Sequence, residues 1–123
     1  MPLPTQTRLN DHLMRWDREI KDFDTAITTY GQRKADHEYR RAVVMEEAKH
    51  RGDAKLSQAA AERIADADPE AHRLHREFRA AESTVEAKKA RLRWCAAVAD
   101  ALRSEVSTER AERQLYADHS VDP

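Results

Sequence analysis

The sequence predicts an all-α fold: two long helices in an antiparallel coiled-coil hairpin, with a short helix near the tip. Composition is the first ground. The 123 residues include only two glycines and four prolines, and 37 % are charged, a profile of long helices and coiled coils. An all-β fold would need turn residues about every 8–12 positions, and they are missing. The second ground is the apolar rhythm, which alternates steps of four and three along both halves of the chain. The third is the stretch from Pro69 to Pro123, in which no other glycine or proline occurs.

Pro2 and Pro4 keep the start extended, and Thr5 or Thr7 can cap the first helix. Leu9, Leu13, Trp16, Ile20, Phe23, Ile27 and Tyr30 then form a heptad seam with polar residues between. Gly31 costs about 1 kcal/mol against alanine, but no proline follows it. The helix is expected to continue with a shifted stripe through Ala35, Tyr39, Ala42, Val43 and Met45, ending near Arg51-Gly52. Gly52 suits the position after a helix, and Lys49, His50 and Arg51 suit its negative end.

Asp53 is expected to cap a short helix carrying Leu56, Ala60 and Ile64. Asp68-Pro69-Glu70 is the start signal of the second long helix: a capping acid, proline at the first position, an acid in the first turn. Its seam reads Leu74, Phe78, Ala81, Val85, Leu92, Cys95, Ala99, Leu102 and Val106, interrupted by Lys88. At 1.5 Å per residue such a helix reaches about 70 Å. Residues 1–117 are expected to form one helical domain, and 118–123 a disordered tail. A second apolar line at Trp94, Val98 and Ala101 needs burial that a two-helix hairpin does not supply. Self-association through the C-terminal helix, with Trp94, Cys95, Val98 and Leu102 at the interface, is the expectation.

Charge is near balance in total, 22 basic against 23 acidic residues, but uneven along the chain. Residues 1–39 hold six basic and seven acidic groups, 73–93 hold seven and three, and 94–123 hold three and six. Arg40, Arg41, Lys49, Arg51, Lys55 and Arg63 add cations near the presumed tip. A local basic patch facing phosphates is therefore predicted, carried by Arg40, Arg41, Lys49, Arg51 and Lys55 with Arg73, Arg76 and Arg79 across the hairpin. The competing reading of these charges is a solvated face with i,i+4 pairs.

Enzyme chemistry finds no foothold. A thin alanine-rich core offers few walls for a deep pocket, and two glycines cannot build a phosphate loop. Cys95 lies at a seam position with no base within helical reach, and Glu46-Glu47 reads as a solvated pair. His72 and His75 could supply half of a metal site, but a zinc site needs three or four ligands, so no metal and no cofactor are expected. Arg51-Gly52-Asp53 at a helix end is a coincidental tripeptide. Trp16 and Trp94 are expected in core or interface packing rather than in base stacking. A single cysteine forms no internal disulfide, no run approaches the roughly 18 apolar residues of a membrane span, and no secretory signal opens the chain. A soluble, cytoplasmic protein with no membrane partner is expected.

Arg93-Trp94-Cys95-Ala96-Ala97-Val98-Ala99-Asp100-Ala101-Leu102-Arg103-Ser104 resembles the closing segment of the UvsY-type phage recombination mediators. Tyr39, the basic residues after it and the Arg51-Gly52-Asp53 break are similar to the middle of that family, so the likeness spans about residues 35–110. Val43, Val44, Glu46 and Glu47 dilute the family's basic segment, and the helix after the break is about one heptad longer. The resemblance implies a non-enzymatic homo-oligomer that binds single-stranded DNA. It also implies a recombinase and a single-strand-binding protein as partners, and the host cytoplasm as location. The alternative is a structural or adaptor coiled coil, a virion assembly factor or a host-protein inhibitor, that binds no nucleic acid.

Overall fold

A computed structural model describes residues 3–51 and 55–120, with side chains described as far as Asp118. Three α-helices account for it: α1 (Pro4–Lys49), α2 (Gln58–Ala67) and α3 (Pro69–Ser120), with no strand among the described residues. Gly31 lies within α1 with open space where a Cβ would stand, so it is tolerated there rather than required. The start of α3 follows the sequence signal. Asp68 Oδ2 accepts the Ala71 N–H at 2.9 Å, its carbonyl accepts from His72, and Pro69 takes the first position. Ser57, not Asp53, is the described cap of α2, its hydroxyl accepting from Ala60 at 3.1 Å. Gly52 and Asp53 lie outside the described residues. α3 continues through Ser120, past the expected start of the tail at Asp118, and residues 121–123 are outside the description.

Contacts divide the chain into two compact units, residues 1–23 with 88–123 and residues 24–87. In the first unit, Leu3, Leu9 and Val106 form a buried cluster with Leu102 against it. Cys95 and Ala99 are fully buried. Buried and half-buried positions on α1 run Leu9, His12, Trp16, Glu19 and Phe23. The expected seam is thus half right. Leu9, Trp16 and Phe23 face inward, whereas Leu13 and Ile20 are 36 % and 43 % exposed, and the residues just before them are inside.

The reason lies on α3. Its seam holds a carbonyl and cations that polar side chains satisfy better than Leu or Ile. His12 Nε2 donates to the Cys95 carbonyl at 2.7 Å. Glu19 accepts from Arg91 Nε at 2.8 Å, and Lys88 Nζ stands 3.6 Å from Glu19 and 3.7 Å from Asp22. Lys88 is therefore the partner of an acid in the seam rather than an interruption. Arg8–Glu105 at 2.8 Å and hydrogen bonds from Thr5 to Glu109 and from Arg110 to Gln6 complete this unit.

In the second unit, α1 buries or half-buries Ala26, Tyr30, Arg33, His37, Arg40, Arg41, Val44 and Ala48. The expected shifted stripe is corrected. Ala35 and Ala42 are exposed, Tyr39 is 74 % exposed, and only Val43 and Met45 are half-buried. Ile27 is likewise 44 % exposed where Ala26 is buried. α2 packs Ala61 and Ala65, both fully buried, while Ile64 faces out and Leu56 and Ala60 are half-buried. Aromatic rings fill the middle: Tyr30 stacks on Phe78 at 5.4 Å and His37 on Phe78 at 6.1 Å, with His75 at 5.0 Å from His37. On α3 the expected positions Leu74, Phe78, Ala81 and Val85 are all buried or half-buried.

Candidate nucleic-acid interface

All eight cations proposed for phosphate contact belong to the second unit, and they fall into two groups. Four are engaged within the chain. Arg40 forms a two-pronged bond to Asp68, 3.0 and 3.2 Å, which ties α1 to the cap of α3. The Arg40 guanidinium, then the Ala71 N–H, holds the Asp68 carboxyl below its ordinary range, and Asp68 in turn raises Arg40. Arg41 bonds Asp66 at 3.1 Å. Arg73 is gripped by Glu70 and Glu77 on its own helix, which raises its pKa, while Glu70 is lowered. Arg79 bonds Glu82 at 3.2 Å and lies over the Phe78 ring at 5.5 Å.

Lys49, Arg51, Lys55 and Arg76 are exposed and make no ion pair among the described residues. Lys49 ends α1, Arg51 follows two residues later, and Lys55 stands on the connection before α2. Arg51 also lines a groove of about 310 Å³ with Val44, Ala48 and Ile64 as its apolar wall.

The unit as a whole has a charge balance different from that of the basic stretches at its presumed tip. Residues 24–87 hold eleven basic and thirteen acidic groups, net −2, and the other unit holds eleven and ten, net +1, which together give −1. Two facts explain the difference. Residues 40–72 bring seven acids with their six cations, and four cations of the 73–93 surplus, Lys88, Lys89, Arg91 and Arg93, belong to the other unit.

Beside the cations, a groove of about 650 Å³ is lined by His37, Arg41, Asp66, His72, His75 and Phe78, among others. Burial first, then His75 and Arg41, pushes the His37 imidazole below its ordinary value, so it is neutral at pH 7. No three His, Cys, Asp or Glu side chains among the described residues gather closely enough to hold a metal ion.

The four residues expected at an oligomer interface also separate. Cys95 is 1 % exposed and Leu102 packs on the Leu3–Leu9–Val106 cluster, so both are consumed within the chain. Their seam positions dictate this. Trp94 is 57 % exposed with His12 edge-on at 6.0 Å, and Val98 is half-buried. No helix of the described residues is long and apolar enough to cross a membrane. Comparison with protein-family models, with curated proteins and with solved structures finds no match to this chain.

Proposed function

We propose that the protein is a non-enzymatic recombination mediator of the UvsY type. In this reading it binds single-stranded DNA in the cytoplasm and promotes loading of a recombinase, with a single-strand-binding protein as the other partner. The observation that carries it is the group Lys49, Arg51 and Lys55, three exposed cations within seven residues with no acid paired to them among the described residues. Arg76 is a fourth exposed cation of the same unit. Arg40, Arg41, Arg73 and Arg79 are reassigned from phosphate contact to internal bonds.

The arrangement we infer is the antiparallel hairpin, oligomeric through the C-terminal helix. Its support is the order of pairing within each unit. Arg8 meets Glu105 and Glu19 meets Arg91 in one; Arg33 meets Glu77 and Arg40 meets Asp68 in the other. Numbers rise on α1 as they fall on α3. More than one subunit would multiply a weak contact per chain into useful avidity.

Polarisation of a labelled oligothymidine tests the reading. The Lys49→Glu/Arg51→Glu/Lys55→Glu variant is expected to lose binding, while Arg79→Gln keeps it. Each phosphate neutralised on a single strand contributes roughly −0.7 to the salt slope, so three contacts give a slope of about −2. Equal binding by the reversed variant, or a flat salt response, refutes the site. The adaptor reading is favoured by one observation, the net −2 of the unit, and it predicts no binding at any salt.

A further inference from the structure

The seam of α3 uses one face of that helix, and the opposite face is regular as well. Within the first unit, Ala90, Trp94, Ala97, Ala101, Ser104 and Thr108 recur at steps of four and three, and every one is exposed. None is charged, in a chain with 37 % charged residues. Five are small and one is the 57 %-exposed Trp94. Water-facing helix surfaces are normally filled with Lys, Glu and Arg, as Arg91, Arg93, Asp100, Arg103 and Glu105 fill the flanks here. A charge-free heptad row bearing an exposed indole is the pattern of a second helix seam.

We infer that a second copy of this chain covers this face, with the two α3 helices antiparallel about a two-fold axis between residues 95 and 96. This inference rests on the oligomeric part of the reading above and is independent of nucleic acid. Size and charge select the occupant and the register. With this axis, each Trp94 lies over the small Ala97 of the other copy, and each Ala90 faces the other Ala101. On one flank each Arg93, which has no ion pair among the described residues, meets the other copy's Asp100, twice by symmetry. Asp100 bonds Arg103 of its own helix at 3.3 Å and, its side chain 79 % exposed, has a carboxylate oxygen left for Arg93. On the other flank Arg91 meets Val98, so no like charges oppose.

The competing registers fail on the same criteria. A parallel, in-register pair sets Trp94 against Trp94 and Asp100 against Glu105. An antiparallel pair shifted by one heptad sets Asp100 against Asp100. An isologous, two-fold contact is also the commonest way for identical chains to associate, and alanine at successive layers lets the backbones approach closely.

Three measurements on the full chain without DNA test the proposal. Sedimentation equilibrium is expected to give twice the 14.2 kDa chain mass. Asp100→Arg, which puts two Arg–Arg contacts in the interface, is expected to weaken the dimer at least tenfold, and Arg93→Asp/Asp100→Arg to restore it. Helical circular dichroism unchanged in both variants separates dissociation from unfolding. For orientation, Ala90→Cys/Ala101→Cys is expected to form a covalent dimer under mild oxidation, while either single variant does not. Those two positions are eleven residues apart on one helix, about 16 Å, so they cannot join within a chain, and Cys95 is buried. A monomer at every concentration overturns both this inference and the oligomeric reading. An oligomer that ignores Asp100→Arg, or that cross-links through single cysteines, overturns the face and register and leaves oligomerisation standing.

Discussion

The two units share one helical rhythm and fill it differently. In the first, Leu9, Phe23, Leu92, Cys95, Ala99 and Val106 make an apolar seam with a single charged layer at Glu19, Lys88 and Arg91. In the second, Arg33, His37, Arg40, His75, Phe78 and Asp68 occupy inward positions, and polar bonds replace much of the apolar contact. The surfaces differ in the opposite sense. Among the described residues, six of the nine exposed large apolar side chains, Leu13, Met14, Ile20, Trp94, Leu115 and Tyr116, belong to the first unit. That unit has apolar groups to spare for association, whereas the second spends half its proposed contact cations internally. A count of cations therefore overstates what can reach a phosphate.

The largest expected effect is a direct test of this contrast. Leu9→Ala removes a buried side chain from the Leu3–Val106 cluster and is expected to cost about 3 kcal/mol. Val44→Ala, in the second unit, removes less volume from a site bounded by a groove and is expected to cost about half as much. Urea midpoints at constant m-value compare them. A Val44 variant as unstable as the Leu9 variant would dissolve the distinction between an apolar and a polar interior.

Next in size is the charged layer. Lys88→Leu leaves Glu19, whose side chain is 17 % exposed, with one cation fewer and is expected to cost about 1 kcal/mol. Glu19→Leu/Lys88→Leu should recover that loss or exceed it, since an apolar layer then continues the seam. If the double variant is less stable than the single one, the layer contributes net stability and the first unit is more polar in its energetics than its residues imply. A stable double variant with a changed oligomeric mass would instead show that the layer fixes the register.

These particular residues also mark what the sequence could disclose. The α3 seam was legible throughout, because its Leu, Phe and Val residues sit at one set of steps, while the second row on that helix is built of small residues apart from Trp94. On α1 the positions Leu9, Trp16, Phe23 and Tyr30 were legible too. Between them, His12, Glu19 and Ala26 compete with Leu13, Ile20 and Ile27 one residue later, and both sets keep a heptad. Hydrophobicity chose the latter, while the Cys95 carbonyl and Lys88 on another helix chose the former. The one local hint was Lys88 itself, since a cation at a seam position requires an acid opposite. The expected DNA contacts were legible as cations and not as free cations, because Asp66 and Asp68 lie 25 and 28 residues from Arg41 and Arg40. The second α3 face was visible only in part, as Trp94 and Ala101. Its regularity emerged when burial separated it from the seam.

The smallest effect sharpens the comparison by pH. His37 is held below its ordinary value of 6.5 by burial and by its neighbours His75 and Arg41, which outweigh Glu38 and Asp66. The unfolded chain therefore takes up this proton at a higher pH than the folded chain does. Stability is complete above about 6.5, falls as the pH drops from there to the folded value, and is level below it. Asp68 and Glu70 are shifted down, so their contribution is present above about 4 and is lost only at lower pH. Between about pH 6.5 and 5 the His37 contribution is thus separable from theirs. His37→Gln keeps a polar side chain without a proton to gain, and is expected to flatten the fall of Tm over that interval by a few degrees at most. An unchanged slope in His37→Gln would assign the acid sensitivity elsewhere.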